Sequence, residues 1–591
     1  MALNRRDWLQ LASMTAAAGG LSGEVAQAAI EAEPNPAPPA SAPRAAPGPK
    51  AVAVVDRPGA GHEYTAALKA LCQYVDAHRA AYGLPGLTVS VADAEGFKAV
   101  ITAGWSDIDR REPVTPEHVF QIGSISKSFA GLLTLRLVDE GKLKLDTEVR
   151  ELLPQVPLPD GVRVTVRHLL THTSGLAEDP PLFPREGSEK LWLGFAPGTQ
   201  FSYSNLGYEL LGLIAEHLEQ ASYSEVLARV VLAPLGLGAV LPQIRAADRP
   251  RYAASYSPYY TDRPFPRGGR LVRAPWVNLT AASGCVAATS RQMADYVHWL
   301  IQAGRGKGDP LLSEASRQAF LTPAVAIPIF GPGAHYAFGL AVLPIDGHDC
   351  LHHTGGMLSF VSAITVDPTA GDGAFASVNA STADGYRPIA VTRYAIQLLR
   401  AAREGKPLPP PAAIEAPTRF DGAKALAGHF RSNDGATLDL IVSGDGLALE
   451  QSGVRRPLQP GDDEGSFIVV GPGEESSTLL VRTHDGAVQS VGWGAKLYTP
   501  EGQPPLAPLP RELQRLAGVY DSDDPWNGQH EIVARPDGLW LDGTEPLTLL
   551  NDGSFRVGHD DWSPDRIRFD GDLDGRPSRL SFSGVDFLRR R

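Results

Sequence analysis

Cysteine is scarce: the 591 residues hold three, Cys72, Cys285 and Cys350, an odd number, widely spaced and without a Cys-x-x-Cys pair. That excludes a disulfide framework and a thiolate zinc site, and leaves room for one disulfide at most. Basic stripes are missing as well. A formal net charge of −13 and an isoelectric point near 5.6, with no Lys/Arg run interleaved with aromatics, exclude nucleic acid as a partner. A bilayer-spanning run is absent from the N-terminal region, where the apolar stretch Leu11 to Gly20 is too short and too alanine-rich to be a stable anchor. What is plentiful is glycine (61) and proline (50), with 43% hydrophobic and 20% charged residues. That is material for one large core and one or two smaller domains.

The first residues read Asn4-Arg5-Arg6-Asp7-Trp8-Leu9-Gln10, then the apolar stretch, then Ala26-Gln27-Ala28. Paired arginines, a short apolar segment and small residues at a cut site make residues 1–28 a processing signal, with cleavage expected after Ala28. It resembles a twin-arginine export signal, with Asn4 and Trp8 where Ser or Thr and Phe are commoner. The resemblance implies a bacterial periplasmic or secreted protein that meets the export machinery already folded. Residues 29–61 are dominated by Pro and Ala and read as a stiffened, disordered tether.

Beyond the tether, Leu68, Leu71, Val75 and His78 recur at helical spacing over Tyr64 to Tyr82. Gly86 to Ala92 and Phe97 to Ile101 read as two strands joined at Ala94-Glu95-Gly96. From Ser124 to Glu140 the pattern is too apolar for a surface helix, so this helix is expected at the centre of its domain. Further helices are expected over Gly207 to Leu218, Tyr223 to Val231 and Ser290 to Gln302, and strands over Phe338 to Pro344 and Phe360 to Asp367, flanking a turn. Strands and helices do not alternate regularly, which predicts an α/β domain over 62–404 built on an antiparallel sheet flanked by helices. The proline-rich stretch 405–417 is a linker. After it comes a repeat: Leu426-Ala427-Gly428-His429-Phe430 returns as Leu516-Ala517-Gly518-Val519-Tyr520, Asp445-Gly446-Leu447 as Asp537-Gly538-Leu539, and Gly465-Ser466-Phe467 as Gly553-Ser554-Phe555. Two tandem β units, 418–502 and 503–591, follow, and closure into small antiparallel barrels would remove their exposed edges.

Three short constellations carry chemistry. In Gly123-Ser124-Ile125-Ser126-Lys127, residues three apart share a helix face, so Ser124 and Lys127 can set a hydroxyl beside an amine that accepts its proton. The helix N-terminus adds partial positive charge where an oxyanion develops. In Ser202-Tyr203-Ser204-Asn205 a phenol can relay a proton, and an asparagine can hold a lysine with its carbonyl and a substrate with its amide. In His352-His353-Thr354-Gly355-Gly356, ahead of an apolar strand, the glycines let a substrate backbone approach and the Gly356 amide can join that of Ser124 as an oxyanion donor. His353 can transfer a proton or bind a carboxylate. Each constellation alone has an ordinary structural explanation: a surface pair, a boundary aromatic, a glycine turn.

Together, in this order and spacing, they resemble the serine β-lactamase and penicillin-binding protein superfamily, closest to its class C β-lactamase, carboxylesterase and D-aminopeptidase branch. Leu169 to Leu176, Pro234-Leu235-Gly236-Leu237 and Ala281 to Asp295 match in character, and the likeness covers about 62–400. It implies a catalytic set of Ser124, Lys127, Tyr203 and His353, substrate binding by Asn205, Thr354 and Gly355, and an oxyanion hole from the amides of Ser124 and Gly356. It also implies hydrolysis through an acyl-enzyme without metal or cofactor. Where β-lactamases and transpeptidases usually carry lysine, this chain has His353, mostly neutral at pH 7. That favours a peptidase or amidase on short peptides, D-residues included, or an esterase or lactonase, over efficient penicillin turnover; a silent cell-wall-peptide binder is the remaining alternative. His172 is expected to order a turn, and Cys285 to be a small packed residue.

Overall fold

The computed structural model describes residues 48–56, 62–182, 190–307, 311–327, 330–381, 386–461, 463–472 and 475–590. The expected signal over 1–28 lies outside the described residues.

The first domain is built on one antiparallel sheet. Its strands are β1 (Val52–Val55), β2 (Gly86–Asp93), β3 (Lys98–Asp107), β4 (Glu112–Pro113), β5 (Val325–Ala326), β6 (His335–Tyr336), β7 (Ala341–Ile345), β8 (His348–Gly356), β9 (Val361–Asp367) and β10 (Asp372–Val378). They lie in the order β1-β3-β2-β10-β9-β8-β7-β6-β5, with β4 paired to β3. The end of the proline-rich tether thus differs from the sequence reading. Val52–Val55 pairs with Ala99 to Thr102 of β3, because its run of β-branched residues meets a strand with an open edge.

Alternate residues of the central strands face two cores. Ala374, Ala376 and Val378 join helices α1 (Thr65–Tyr82) and α5 (Ile389–Arg403) on one face. Phe375 and Ile364 face the other, with helices α2 (Ser126–Asp139) and α4 (Ser290–Gly304). Arg400 and Arg403 in the last turn of α5 ion-pair with Asp367 and Asp372, which close the β9–β10 hairpin. Helix α2 is buried from Ser126 to Leu135, as its all-round apolar sequence requires. Helix α3 (Asn205–Glu219) packs beside it.

One correction concerns the third constellation. It precedes the apolar strand β9, as expected, but the segment between the two expected strands is itself a strand, β8, which contains the whole constellation, and not a turn. Cys350 to His353 are all buried, and strand pairing continues without a break through Gly355 and Gly356, with the bend coming only at Leu358 and Ser359.

The C-terminal part forms two closed antiparallel barrels of eight strands each, running from Gly428–Ser432 to Lys496–Pro500 and from Gly518–Asp521 to Val585–Arg589. Each encloses its own core, with Phe430, Leu449 and Leu479 in the first and Tyr520, Ile567 and Leu580 in the second. All three cysteines are free thiols, so no disulfide forms; they stand on separate elements, and Cys285 and Cys350 are buried.

Candidate active site

Ser124 lies in a single 3-10 turn, Gly123–Ile125, that runs into α2. Gly123 enters this turn at a φ of 57°, a left-handed conformation that favours glycine. One turn on, the fully buried Lys127 donates through Nζ to Ser124 Oγ at 3.1 Å, Asn205 Oδ1 at 2.7 Å and the Ser283 carbonyl at 2.9 Å. Asn205 opens α3, whose N-terminus is capped by Ser204 Oγ accepting from the Gly207 amide.

Tyr203 precedes this cap. Its phenol is hydrogen-bonded to Ser124, and its ring centroid lies 4.7 Å from Lys127 Nζ. Burial, reinforced by Tyr336, raises its pKa well above the ordinary tyrosine value, against the pull of Ser124. Tyr203 is therefore a phenol at neutral pH. His172 stacks on it at 4.3 Å between centroids and accepts the Ser204 amide at Nδ1. The expected turn role of His172 is met: its backbone sits at a φ of 55°, and its ring also forms the floor under Tyr203.

His353 stands on β8 beside this cluster, its ring 6.4 Å from that of Tyr203. Its Nδ1 lies 2.6 Å from the Thr354 carbonyl, which can only accept, so Nδ1 carries the hydrogen. Nε2 then accepts from Tyr336 Oη at 3.0 Å. Burial first, and the Lys127 charge second, push the pKa of His353 down to about 3. His172 is held well below its ordinary value by the same two causes. The lysine is thus flanked by two neutral imidazoles, and His353 offers no fixed cation for a substrate carboxylate.

The glycines act chiefly on the protein itself. A Cβ on Gly355 would lie 1.9 Å from the Ile122 carbonyl, and one on Gly123 would lie 2.7 Å from the Gly356 amide nitrogen. Bare backbone lets β8 close onto the turn that carries Ser124, which brings the amides of Ser124 and Gly356 into one region. Pairing of β8 with β7 ends at His352, whereas pairing with β9 continues to Gly356. From His353 to Gly356, including the partly exposed Thr354, the strand runs past the end of its β7 neighbour.

Several contributors escaped the sequence reading. Ser283, within the Ala281 to Asp295 run, supplies a carbonyl to Lys127, and Glu209 of α3 holds that loop through the amides of Ala282 and Ser283 at 3.1 and 3.2 Å. Asp179 accepts from Asn205 Nδ2 at 2.9 Å, so the amide expected to face substrate is engaged within the protein on at least one hydrogen. The Arg387 guanidinium lies against Gly356. No spacing rule links these residues to the serine. Among the described residues, no group of three or more His, Cys, Asp or Glu side chains is arranged to hold a metal ion.

A family model described as Beta-lactamase matches residues 71–399, which contain Ser124, Lys127, Tyr203, Asn205 and His353. The chain is 33% identical over 194 residues to penicillin-binding protein 4 of Amycolatopsis lactamdurans, covering 31% of this chain and 51% of that protein. It is 29% identical over 221 residues to a beta-lactamase of Escherichia coli strain K12, covering 36% and 56%. The chain thus spans about half the length of these curated relatives, both bacterial, in keeping with a bacterial origin. The solved structure of an octameric penicillin-binding protein homologue from Pyrococcus abyssi matches with a TM-score of 0.53 at 25% identity, over 72% of this chain and 98% of that one.

Proposed function

Since the chain belongs to the beta-lactamase family, we propose that it is a serine hydrolase that forms an acyl-enzyme at Ser124, acting on short peptides or amides, D-residues included. The observation that carries this reading is the placement of Lys127 Nζ between Ser124 Oγ, Asn205 Oδ1 and the Ser283 carbonyl. Once Lys127 loses its proton, its two N–H bonds to Asn205 Oδ1 and the Ser283 carbonyl leave the lone pair to face the serine hydroxyl. Ser124 gives its proton to Lys127 as Oγ attacks the substrate carbonyl, whose oxygen gathers charge between the amides of Ser124 and Gly356. Tyr203, a neutral phenol on Ser124, relays a proton to the departing amine. Water then attacks the acyl-enzyme by the same route in reverse. His353 keeps Tyr336 and the end of β8 in register instead of exchanging protons with substrate.

Within the class C β-lactamase, carboxylesterase and D-aminopeptidase branch, which the order and spacing of the motifs favour, the neutral His353 supports a peptidase, amidase or esterase over a β-lactamase, since it offers no fixed cation for a β-lactam carboxylate. Short substrates are favoured because the second barrel stands over the loop beside the site, with Trp562 against Phe195 and Trp192 Nε1 donating to the Pro564 carbonyl. The paired arginines Arg5 and Arg6 point to twin-arginine export and a periplasmic or secreted location.

Intact mass and turnover of wild type and Ser124→Ala, mixed with a nitrophenyl ester, a D-alanyl amide, a D-alanyl dipeptide and a penicillin, test the reading. Acylation or turnover confined to wild type, fastest on the amide or dipeptide, is expected. Identical behaviour of the two proteins toward all four would sink it.

A further inference from the structure

The second barrel touches the catalytic domain through the loop between its strands Phe555–Val557 and Arg566–Asp570, through the turn at Gly584 and through Trp526, which packs on the catalytic-domain core. This contact is close. A Cβ on Gly194 would lie 2.3 Å from the Trp562 carbonyl and 2.7 Å from Pro564, and one on Gly584 would lie 2.7 Å from Pro181. Trp192 and Phe195 complete the seam. At its end stands Asp565, a partly buried carboxylate that accepts from Ser583 Oγ at 3.0 Å within the barrel and from the backbone amide of Glu178 across the seam. A carboxylate half removed from water and spent on a single backbone amide of another domain calls for a reason.

Glu178 supplies it. Its carbonyl accepts from the amides of Asn205 at 2.8 Å and Leu206 at 3.1 Å, the first two of α3, which satisfies helix donors that Ser204 does not reach. Its neighbour Asp179 accepts from Asn205 Nδ2 at 2.9 Å. Main chain and side chain of Asn205 are therefore both held by the 178–179 segment, and Asn205 Oδ1 is the shortest of the three contacts above that hold Lys127. An unbroken series of hydrogen bonds runs from Asp565 through Glu178 and Asp179 to Asn205, Lys127 and Ser124.

We propose that Asp565 is a positioning residue for acylation, a hydrogen-bond acceptor by which the second barrel fixes the Glu178–Asp179 segment and thereby the Asn205–Lys127 pair, an inference that rests on Ser124 being the acylated group. Its distinguishing feature is that an acceptor oxygen, not a charge and not the bulk of the barrel, does the holding. Asp565→Asn keeps that oxygen, Asp565→Ala removes it, and Asp179→Ala breaks the next link on an exposed residue of the catalytic domain. Trp562→Ala takes away the ring against Phe195 while leaving Asp565 in place.

The experiment measures the rate of Ser124 acylation by a small nitrophenyl ester in the full chain, with Ser124→Ala as the blank. Losing a link misplaces the base by a fraction of an ångström, and Asp565→Ala and Asp179→Ala should each slow acylation by about tenfold or more. Because both act through one segment, the double variant should fall within about threefold of the slower single. Asp565→Asn and Trp562→Ala should stay within about threefold of wild type. Wild-type acylation by Asp565→Ala, a loss by Asp565→Asn equal to that of Asp565→Ala, fully multiplicative effects in the double variant, or an equal loss by Trp562→Ala would each overturn the proposal. Should Asp565→Ala fail to fold, Asp565→Asn and Asp179→Ala still decide it. A wild-type protein that is not acylated at all, by contrast, removes the functional reading beneath it.

Discussion

At the scale of the residue, the site is governed by what burial does to charge. Lys127 is enclosed by neutral acceptors and neutral imidazoles, and its amine is the proposed proton acceptor. Lys127→Met should lower acylation by on the order of 10³-fold, and Tyr203→Phe by about 10², in burst kinetics with an activated ester. The histidines give a second expectation. His78 and His352 are pushed down to about 4 and His353 to about 3, in each case mainly by burial. A base whose folded pKa lies below its unfolded value of 6.5 binds more protons unfolded. Its contribution is therefore intact above pH 6.5 and is lost as pH falls from there toward 4, by up to about 2 kcal/mol per histidine at pH 5. Thermal unfolding followed from pH 7.5 to 4.5 should show a steepening loss of Tm, reduced in His78→Gln and His352→Gln relative to their own values at pH 7.5. For the same reason the pH profile of kcat/KM should carry no inflection near 6.5 from His353, and one that vanishes in His353→Gln would contradict the neutral ring described above.

At the scale of the element, the decisive contact is between a strand and a turn. Helix α2 needed only its apolar excess to be legible in the sequence, and the pairing of Ser124 with Lys127 follows from helical spacing. The closed barrels were legible for a similar reason, since a repeat of Gly-turn signals fixes where strands end. What sequence could not give is the position of His353 within β8, because a buried central strand and a glycine turn share the letters Thr354-Gly355-Gly356. Nor could it give Glu209, Asp179 or Ser283, whose roles depend on chain segments that meet only after folding. The strand-to-turn contact leads to a sharp expectation. Gly355→Ala places a methyl 1.9 Å from the Ile122 carbonyl, and β8 must retreat from the Ser124 turn. Acylation should fall at least 10²-fold, while far-ultraviolet circular dichroism stays native and Tm drops by a few degrees; unchanged acylation would mean that β8 has room to move without disturbing the oxyanion donors.

At the scale of the whole molecule, the two barrels are joined by a buried arginine and, at the rim, by the Arg482–Asp537 ion pair at 3.0 Å. Arg535 of the second barrel is almost wholly buried. Its Nε donates to the Gly494 carbonyl of the first barrel at 2.9 Å and its Nη1 to Gly543 at 2.9 Å, with the guanidinium against Gly492. Burial pushes its pKa down to about 10, so it remains charged at neutral pH. Leu480, Val533 and Trp540 fill the space around it. Arg535→Ala would leave two carbonyls without a donor and a void the size of the side chain, at a cost of about 2–4 kcal/mol. The expected sign is a second calorimetric transition and faster proteolysis near residues 500–510, where the chain passes between barrels.

The sheet itself has a temporal consequence. Strand β2 pairs with β10, so that Leu87 lies opposite Val378, about 290 residues later in the chain, a span that slows folding by its contact order. During synthesis the nucleophile turn emerges early, yet the strand that closes onto it arrives only after about three-fifths of the polypeptide has left the ribosome, and the loop bearing Asp565 arrives close to the end. A nascent chain would therefore hold Ser124 in an unassembled pocket until translation is nearly finished, so the order of synthesis, and not the serine turn itself, sets when the proposed nucleophile becomes competent.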